Sequence, residues 1–351
     1  MRPTFSIICF TVLSGAGYGI WFLLGFGVAL AWPTCDASHG LPAGATSMQC
    51  APLESLLFIA GFVLITAGLL FSVGHLGKPL RAWRALSQWR SSWLSREGVA
   101  ALLTYVPAMS LVAVPLAQAW RARGLAVGAS VDPWLDDAAL RSIGAVLALM
   151  CIVTVYCTAH IYSSLKPIRA WHNRHVTPAY LLLALHSGLL CMWALSTLPY
   201  AFVAHNPARV REIDAMLLAL ALTSIASLVL KHFYWRDINR DPRIDVGRAT
   251  GLESLGIVRS FEQPHTEENY LTHEMGFVLA RKHAAKLRRI AMLAGFAVPA
   301  ALAALAFFWP AANLAAWPAL VVGMLGIFVE RWLFFAEAKH TVMLYYGAET
   351  V

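Results

Sequence analysis

Three residues in a stretch between two long apolar segments have side chains suited to proton-coupled chemistry at a membrane boundary. They are His75, Arg81 and Glu97, in a stretch where a histidine ends one apolar segment and a glutamate opens the next. Histidine exchanges protons near neutral pH, a glutamate can be tuned by its surroundings, and arginine can hold an anion. Ionisable groups at a membrane boundary are costly unless paired, hydrated or used, so we interpret these residues as a functional site.

The same stretch also fits a purely topological role. A basic loop on the cytoplasmic side sets the orientation of a membrane protein, and tryptophan is enriched at the membrane interface. We apply this interpretation to Trp83, Trp89, Trp93 and most of the arginines in the stretch. For His75, Arg81 and Glu97 together we favour function.

A quinone site is the chemistry that these residue types fit best. Such a site needs an apolar slot for the ring and tail, a donor to a carbonyl oxygen, and a group that exchanges protons. Haem is the weaker hypothesis, because His75, His160 and His186 do not recur at a spacing that demands two facing ligands. The sequence has no iron–sulfur cysteine cluster and no HExxH motif. We therefore expect no haem, iron–sulfur cluster or metal site on this chain.

The elements that position these residues are predicted from composition. The chain has 351 residues, of which 59% are hydrophobic and 13% charged, with a mean hydropathy of +0.62. Apolar stretches of the length that crosses a bilayer recur along it. The sequence thus predicts an all-α, polytopic membrane protein forming a single integral membrane domain over residues 1–351. The net charge of +8 reflects cytoplasmic loops, and we expect no nucleic-acid partner.

Eight transmembrane helices are predicted from hydropathy. Glycines 15, 17, 19, 25 and 27 of the first span predict close helix packing, with loose packing as the alternative. The eight predicted spans are Phe5–Trp32, Leu53–Val73, Glu97–Ala119, Leu140–Ser163, Pro178–Ala204, Ala215–Leu230, Ile290–Trp309 and Asn313–Phe335.

The distribution of lysine and arginine predicts the orientation. The loop after the second span carries five such residues, whereas the loops after the first and seventh spans carry none. The alternation places both termini in the cytoplasm of a bacterium, with the chain in the inner membrane. The loops after the third and fifth spans, with two arginines each, weaken this assignment.

Two loops carry further predictions. Cys35 and Cys50 lie in the first outer loop, which would face an oxidising periplasm, so we predict a possible disulfide between them. The other four cysteines lie within spans and fit small buried apolar residues. Residues 231–289 form a basic cytoplasmic loop, which we interpret as a docking surface for a partner, with a solvated linker as the alternative.

Two motifs resemble one known family. His75-Leu-Gly77-x-Pro79-x-Arg81-Ala, followed by Ser92-Trp-Leu-Ser-Arg96-Glu97, is similar to the signature of membrane anchor subunits of the dimethyl sulfoxide reductase type. The segment Tyr162–Trp171, with Pro178-Ala-Tyr180 downstream, is similar to that family's connection between spans four and five. The resemblance covers most of the chain and is weakest in the loop between spans six and seven.

The resemblance implies a fold, partners and a site. Such anchors have eight spans, carry no haem and react with membrane quinone (ubiquinone or menaquinone). They sit under an iron–sulfur electron-transfer subunit and a molybdopterin catalytic subunit. It also implies that His75, Gly77, Arg81 and Glu97 bind the quinone, with His75 and Glu97 catalytic. The terminal substrate chemistry would then belong to another subunit.

The direction of electron flow stays open between two branches of that family. Because the positive-inside pattern places the signature loop in the cytoplasm, we favour quinone reduction coupled to sulfite oxidation, as in cytoplasmic sulfite dehydrogenases. The alternative is a quinol-oxidising anchor of a dimethyl sulfoxide reductase. Two further alternatives are a structural tether without a quinone site and a transporter. Against a transporter, the sequence shows neither paired interrupted helices nor a carboxylate in mid-span.

Overall fold

A computed structural model of the chain describes residues 4–30, 51–74, 76, 78–123, 137–198, 207–240, 244–259, 261–262, 267 and 279–351. The described part is helical, in agreement with the predicted all-α class. Its main helices are α1 (Phe5–Ala29), α2 (Ala51–Gly74), α3 (Trp93–Arg123), α4 (Asp137–Ser163), α5 (Val176–Ser196), α6 (Pro207–Arg240), α7 (Leu279–Met292), α8 (Val298–Phe308) and α9 (Ala316–Ala336).

Shorter helical segments connect some of these helices. A 3-10 helix, Pro79–Gln88, lies between α2 and α3. A π-helical turn, Leu293–Ala297, joins α7 to α8, so that the two form one continuous helical span. Four other short helices are Val246–Thr250, Glu253–Leu255, Pro310–Ala315 and Val342–Tyr345.

Seven stretches of the described chain are long and apolar enough to cross a membrane. They are Phe5–Ala29, Ser55–Gly74, Asp137–Ser163, Val176–Ser196, Ile213–Arg240, His283–Phe308 and Ala311–Ala336. The predicted span Glu97–Ala119 lies within α3 and is not among the seven. Seven of the eight predicted spans therefore have a matching apolar helix, and the eighth is not confirmed.

Helix α6 extends further than the sequence predicts. The predicted span ended at Leu230, with a cytoplasmic loop beginning at Lys231, whereas α6 continues to Arg240. Lys231 is only 2% exposed, and Tyr234 and Trp235 in the next turn are buried as well. The first ten residues assigned to the loop are thus a continuation of the helix within the bundle.

Helix α1 is the central helix of the bundle and packs against α2, α4, α5 and α9. Close approach is possible because glycines face its neighbours. A Cβ added at Gly19 would lie 2.0 Å from the Ala184 oxygen, and one at Gly25 would lie 2.7 Å from the Gly144 oxygen. One at Gly17 would lie 2.6 Å from Ile65 Cγ1. The predicted close packing is confirmed for these three glycines.

Replacing Gly19 by alanine is expected to destabilise the fold strongly. Its methyl group would overlap the α5 backbone, and overpacking in a well-packed core typically costs about 1–3 kcal/mol, occasionally more. The measurement is the melting temperature and yield of the purified protein. Gly27→Ala is the matched control, because a Cβ there meets no atom within 4 Å. Equal stability of the two variants would contradict the packing account.

Candidate functional site

The 3-10 helix and the start of α3 form one packed unit. The Ser95 hydroxyl donates a hydrogen bond to the Ala85 carbonyl oxygen. A Cβ added at Gly98 would lie 2.8 Å from Leu86 Cδ2, so the lack of a side chain there lets the 3-10 helix lie against α3. The 3-10 helix, which carries Arg81 of the predicted motif, is therefore fixed to the helix that carries Glu97.

Arg96 holds the turn between these two helices. Its Nε donates to the Trp89 carbonyl oxygen at 3.0 Å and its Nη2 to the Arg90 carbonyl oxygen at 2.6 Å. Its guanidinium also lies 4.3 Å from the centre of the Trp93 ring. This arginine therefore has a structural role, closing the turn and placing the first turn of α3.

Glu97 lies inside the bundle, with 5% of its surface exposed. The Thr158 hydroxyl of α4 donates a hydrogen bond to Glu97 Oε1, and the same hydroxyl lies 3.1 Å from the Thr154 carbonyl oxygen. Among the described residues, no cation forms an ion pair with Glu97. Removing an ionised carboxylate from water is costly without a charge partner, so the charged form of this buried carboxyl is disfavoured.

The other predicted site residues are placed differently. Arg81 is exposed in the 3-10 helix, and the partner that the structure gives Glu97 is Thr158 rather than Arg81. His75 and Gly77 lie outside the described residues, so their roles stay predictions. Cys35 and Cys50 also lie outside the described residues, and their disulfide likewise stays a prediction.

An aromatic group flanks the start of α3 on its exposed side. The Tyr156 and His160 rings of α4 lie 3.9 Å apart, and the Trp93 ring lies 4.7 Å from His160. Tyr156 is 39% exposed. Sequence reasoning considered His160 only as a haem ligand, because nothing in the local pattern shows that α4 meets the first turn of α3.

His186 of α5 is fully buried, and both of its ring nitrogens have protein partners. Its Nε2 lies 3.0 Å from the Gly295 carbonyl oxygen in the π-helical turn, and its Nδ1 lies 3.2 Å from Thr223 Oγ1 of α6. A π-helical turn leaves main-chain carbonyls without their usual helical partners. His186 therefore ties α5 to α6 and to the turn between α7 and α8.

A buried ionic cluster joins α6 to α9. Glu330 is ion-paired with Lys231 Nζ, and its Oε2 lies 2.5 Å from Arg331 Nε. All three side chains are no more than 3% exposed. Glu330 and Arg331 are neighbours in the sequence, near the end of the eighth predicted span. The third member was missed because Lys231 was assigned to a loop.

Aromatic rings enclose this ionic cluster. The Arg331 guanidinium lies 4.5 Å from the centre of the Tyr180 ring, and Lys231 Nζ lies 4.7 Å from that of Tyr234. A desolvated cation over an aromatic face gains stabilisation from the ring. The cluster of one anion and two cations carries a net charge of +1 inside the bundle.

An apolar crevice of about 440 Å³ lies between α1, α4, α5 and α6. Tyr18, Val155 and Ala184 line both this crevice and a smaller cavity whose wall includes Thr158. The other residues of the crevice wall are Gly19, Phe22, Cys151, Ile152, Pro178, Leu181, Leu182, Leu185 and Leu230. The crevice thus shares part of its wall with the cavity that the Glu97 partner lines.

Metal-ligating residues do not cluster within the described part of the chain. No group of three or more His, Cys, Asp or Glu side chains there is arranged to hold a metal ion. Cys9, Cys151, Cys157 and Cys191 are buried with free thiols, as predicted from their positions within spans.

Comparisons with known proteins agree on one family. Residues 1–238 match the family model described as DMSO reductase anchor subunit (DmsC). The chain is also 32% identical over 348 residues to a subunit of the sulfite dehydrogenase of Allochromatium vinosum. That match covers 99% of the length of each of the two proteins.

Proposed function

The chain belongs to the family of DMSO reductase anchor subunits, and from that membership we propose that it exchanges electrons between membrane quinone and an iron–sulfur partner subunit. Membership makes it a membrane-embedded anchor of a multi-subunit oxidoreductase complex with catalytic and electron-transfer partners. The catalytic partner would hold the molybdopterin and act on the terminal substrate. We further propose that the complex lies in the bacterial inner membrane, with both termini of this chain in the cytoplasm.

The buried carboxyl of Glu97 is the observation that carries the quinone proposal. This carboxyl lies at the start of α3, next to the 3-10 helix. The hydrogen bond that the structure gives it comes from the neutral hydroxyl of Thr158. A structural carboxylate in such a place would normally be paired with a cation, as Glu330 is. An unpaired carboxyl is better suited to take up and release a proton.

Quinone reduction consumes two protons and two electrons for each quinone molecule. The electrons would come singly from the iron–sulfur partner, and this chain would supply the protons. In our proposal His75 donates a hydrogen bond to one carbonyl oxygen and passes the first proton to it, while Glu97 gives the second proton to the reduced ring. Gly77 lets the chain turn after α2, and Arg81 stabilises negative charge on the ring.

The apolar crevice supports this proposal from the lipid side. A quinone needs an apolar slot for its ring and tail, and sites of this kind are lined mainly by apolar side chains with few polar groups. The crevice wall meets that description. Tyr18, one of its residues, also lines the smaller cavity beside Thr158.

Partner docking fits the same side of the molecule. The electron-transfer subunit must lie over the motif, because electrons pass between the quinone and a nearby cluster. Leu80, Trp83 and Trp89 of the 3-10 helix and its end are exposed, with 94%, 66% and 53% of their surfaces accessible. We propose that this surface and the part of 231–289 beyond α6 contact the partner.

We favour sulfite oxidation coupled to quinone reduction as the direction of electron flow. The full-length match to a sulfite dehydrogenase subunit supports it, together with the basic cytoplasmic loop predicted from the sequence. A quinol-oxidising anchor of a dimethyl sulfoxide reductase is the second candidate, favoured by the family model.

Replacing His75 by alanine is expected to abolish most sulfite-dependent quinone reduction by the complex purified through a tag on this chain. Loss of a positioned proton-exchanging group typically costs about 10²–10⁴-fold in rate. The control is His172→Ala, an exposed histidine between α4 and α5. Both rates are normalised to the amount of assembled complex.

The same preparation separates the alternatives. If the native complex instead oxidises quinol with a sulfoxide as acceptor, and His75→Ala loses this activity, the quinone site is supported and the electron flow runs in the opposite direction. Normal turnover per assembled His75→Ala complex would favour a structural tether. Absence of any molybdenum or iron–sulfur partner would contradict the anchor function itself.

A further inference from the structure

A small cavity of about 20 Å³ lies among residues of α1, α4, α5 and α9. Thr158, the hydrogen-bond partner of Glu97, forms part of its wall. Arg331 of the ionic cluster and Tyr180 also line it. The cavity is therefore bordered both by the partner of Glu97 and by a member of the ionic cluster.

Three buried polar atoms of residues in this wall have no hydrogen-bond partner in the described part of the chain. They are Tyr18 Oη, Tyr180 Oη and Arg331 Nη1. The remaining wall hydroxyls, of Thr11, Ser14 and Ser187, bond to carbonyl oxygens of their own helices. Buried polar groups are almost always hydrogen-bonded, so three unmatched groups around one cavity indicate a missing partner.

We propose that this cavity binds a water molecule, which joins Tyr18, Tyr180 and Arg331 to Thr158 and so connects Glu97 to a proton supply. A cavity needs about 10–15 Å³ to hold a water, and buried waters typically make about three hydrogen bonds. The cavity volume meets the first requirement and the three unmatched atoms meet the second.

Arg331 suits the role of holding this water. A guanidinium keeps its protons under all relevant conditions, so it donates to the water without competing for a proton. Glu330 and the Tyr180 ring fix its position. Arg331 is thus a positioning residue that acts through the water.

The proton path rests on the proposed function. When the Glu97 carboxyl has given its proton to the reduced quinone, Thr158 Oγ1 passes its hydrogen to the carboxylate and, in the same concerted step, takes a hydrogen from the cavity water. The hydroxide that remains exchanges for a water molecule from solvent before the next turnover. The net result is the transfer of one proton from solvent to substrate.

Gly15→Ala tests the proposal by filling the cavity. Gly15 and Ala184 both line it, and a Cβ added at Gly15 meets Ala184 at 4.0 Å with no closer atom. The methyl group therefore occupies the space of the water without a clash. Gly27→Ala on the same helix is the matched control, because its Cβ meets no atom within 4 Å and it does not line the cavity.

The first measurement is radiolytic hydroxyl-radical labelling of the whole complex, read by mass spectrometry. Bound water makes buried side chains reactive, so Tyr18 and Tyr180 should be labelled in the native protein and in Gly27→Ala. Labelling should be lost in Gly15→Ala. Unlabelled tyrosines in the native complex, or equal labelling in all three proteins, would overturn the water site.

The second measurement is quinone reduction per assembled complex. We expect Gly15→Ala to slow turnover at least about tenfold, within the range of a lost proton-transfer path, while Gly27→Ala has no effect. Unchanged turnover in a Gly15→Ala complex that has lost its labelling would overturn the proton path. If the native complex does not react with quinone, the proposed function fails, and the labelling still decides the water site.

Discussion

Glutamine in place of Glu97 is expected to lower quinone turnover of the assembled complex by about 10²–10⁴-fold, the range for loss of a general acid or base. The amide has nearly the same shape as the carboxyl, and its oxygen can still accept the hydrogen bond from Thr158. The packing of α3 against α4 should therefore survive. What the variant lacks is a proton that can be given up and recovered. The measurement is turnover normalised to complex assembly.

Thr104→Val is the control for this experiment. Thr104 is buried on the same helix, and its hydroxyl bonds to the Ala100 carbonyl oxygen and Thr154 Oγ1, away from Glu97. The valine variant removes a buried polar group from the same helix without touching the Glu97 carboxyl. Its turnover per assembled complex should therefore be unchanged. Full turnover in Glu97→Gln would exclude a proton role for this carboxyl and leave His75 as the sole predicted proton-exchanging residue.

Glu330→Gln is expected to destabilise the bundle strongly. The substitution leaves Lys231 and Arg331 as two buried cations without an anion, and breaking a buried pair in this way typically costs about 3–5 kcal/mol. Side-chain volume is almost unchanged, so the loss reports charge rather than packing. The measurement is the thermal unfolding midpoint and the yield of folded protein from membranes.

Lys231→Met gives the contrasting result in the same cluster. Removing this lysine leaves Glu330 with Arg331 as a neutral pair, whose two described hydrogen bonds, of 2.5 and 2.8 Å, remain. Methionine is flexible and apolar, and it fills the space of the lysine stem. We expect a much smaller loss of stability than in Glu330→Gln. Equal losses in the two variants would contradict the charge account.

Local sequence drew attention to Glu97 but predicted neither its burial nor its partner. The motif from His75 to Glu97 suggested a functional carboxyl at a membrane boundary, because a charged residue opened an apolar segment. Thr158 is 61 residues further along the chain and stands in an apolar helix where threonine is unremarkable. Which helices meet, and at which turn, is decided by packing of the whole bundle. Hydropathy along one segment therefore carries no signal for such a pairing.

The positions of charged residues led us to assign Lys231 to a loop, for a related reason. A lysine after an apolar run usually marks the end of a span, since an unpaired ammonium is costly in the bilayer. Here Glu330 of α9 neutralises it, and α6 continues to Arg240. The same rule gave the correct end of α2. The predicted span ended at Val73, and the helix ends at Gly74. Hydropathy located most spans but could not anticipate charges compensated by a distant helix.

The position of α1 at the centre of the bundle has a consequence for biosynthesis. This helix is made before the other helices described here, yet its glycine faces fit α4 and α5, which are made more than a hundred residues later. Until α5 has been inserted, Gly19 has no Gly188 to pack against. The α5 side of α1 must therefore stay in contact with lipid until then. A chain truncated before α5 would keep α2 and α4 beside α1 but leave this glycine face exposed to membrane quality control.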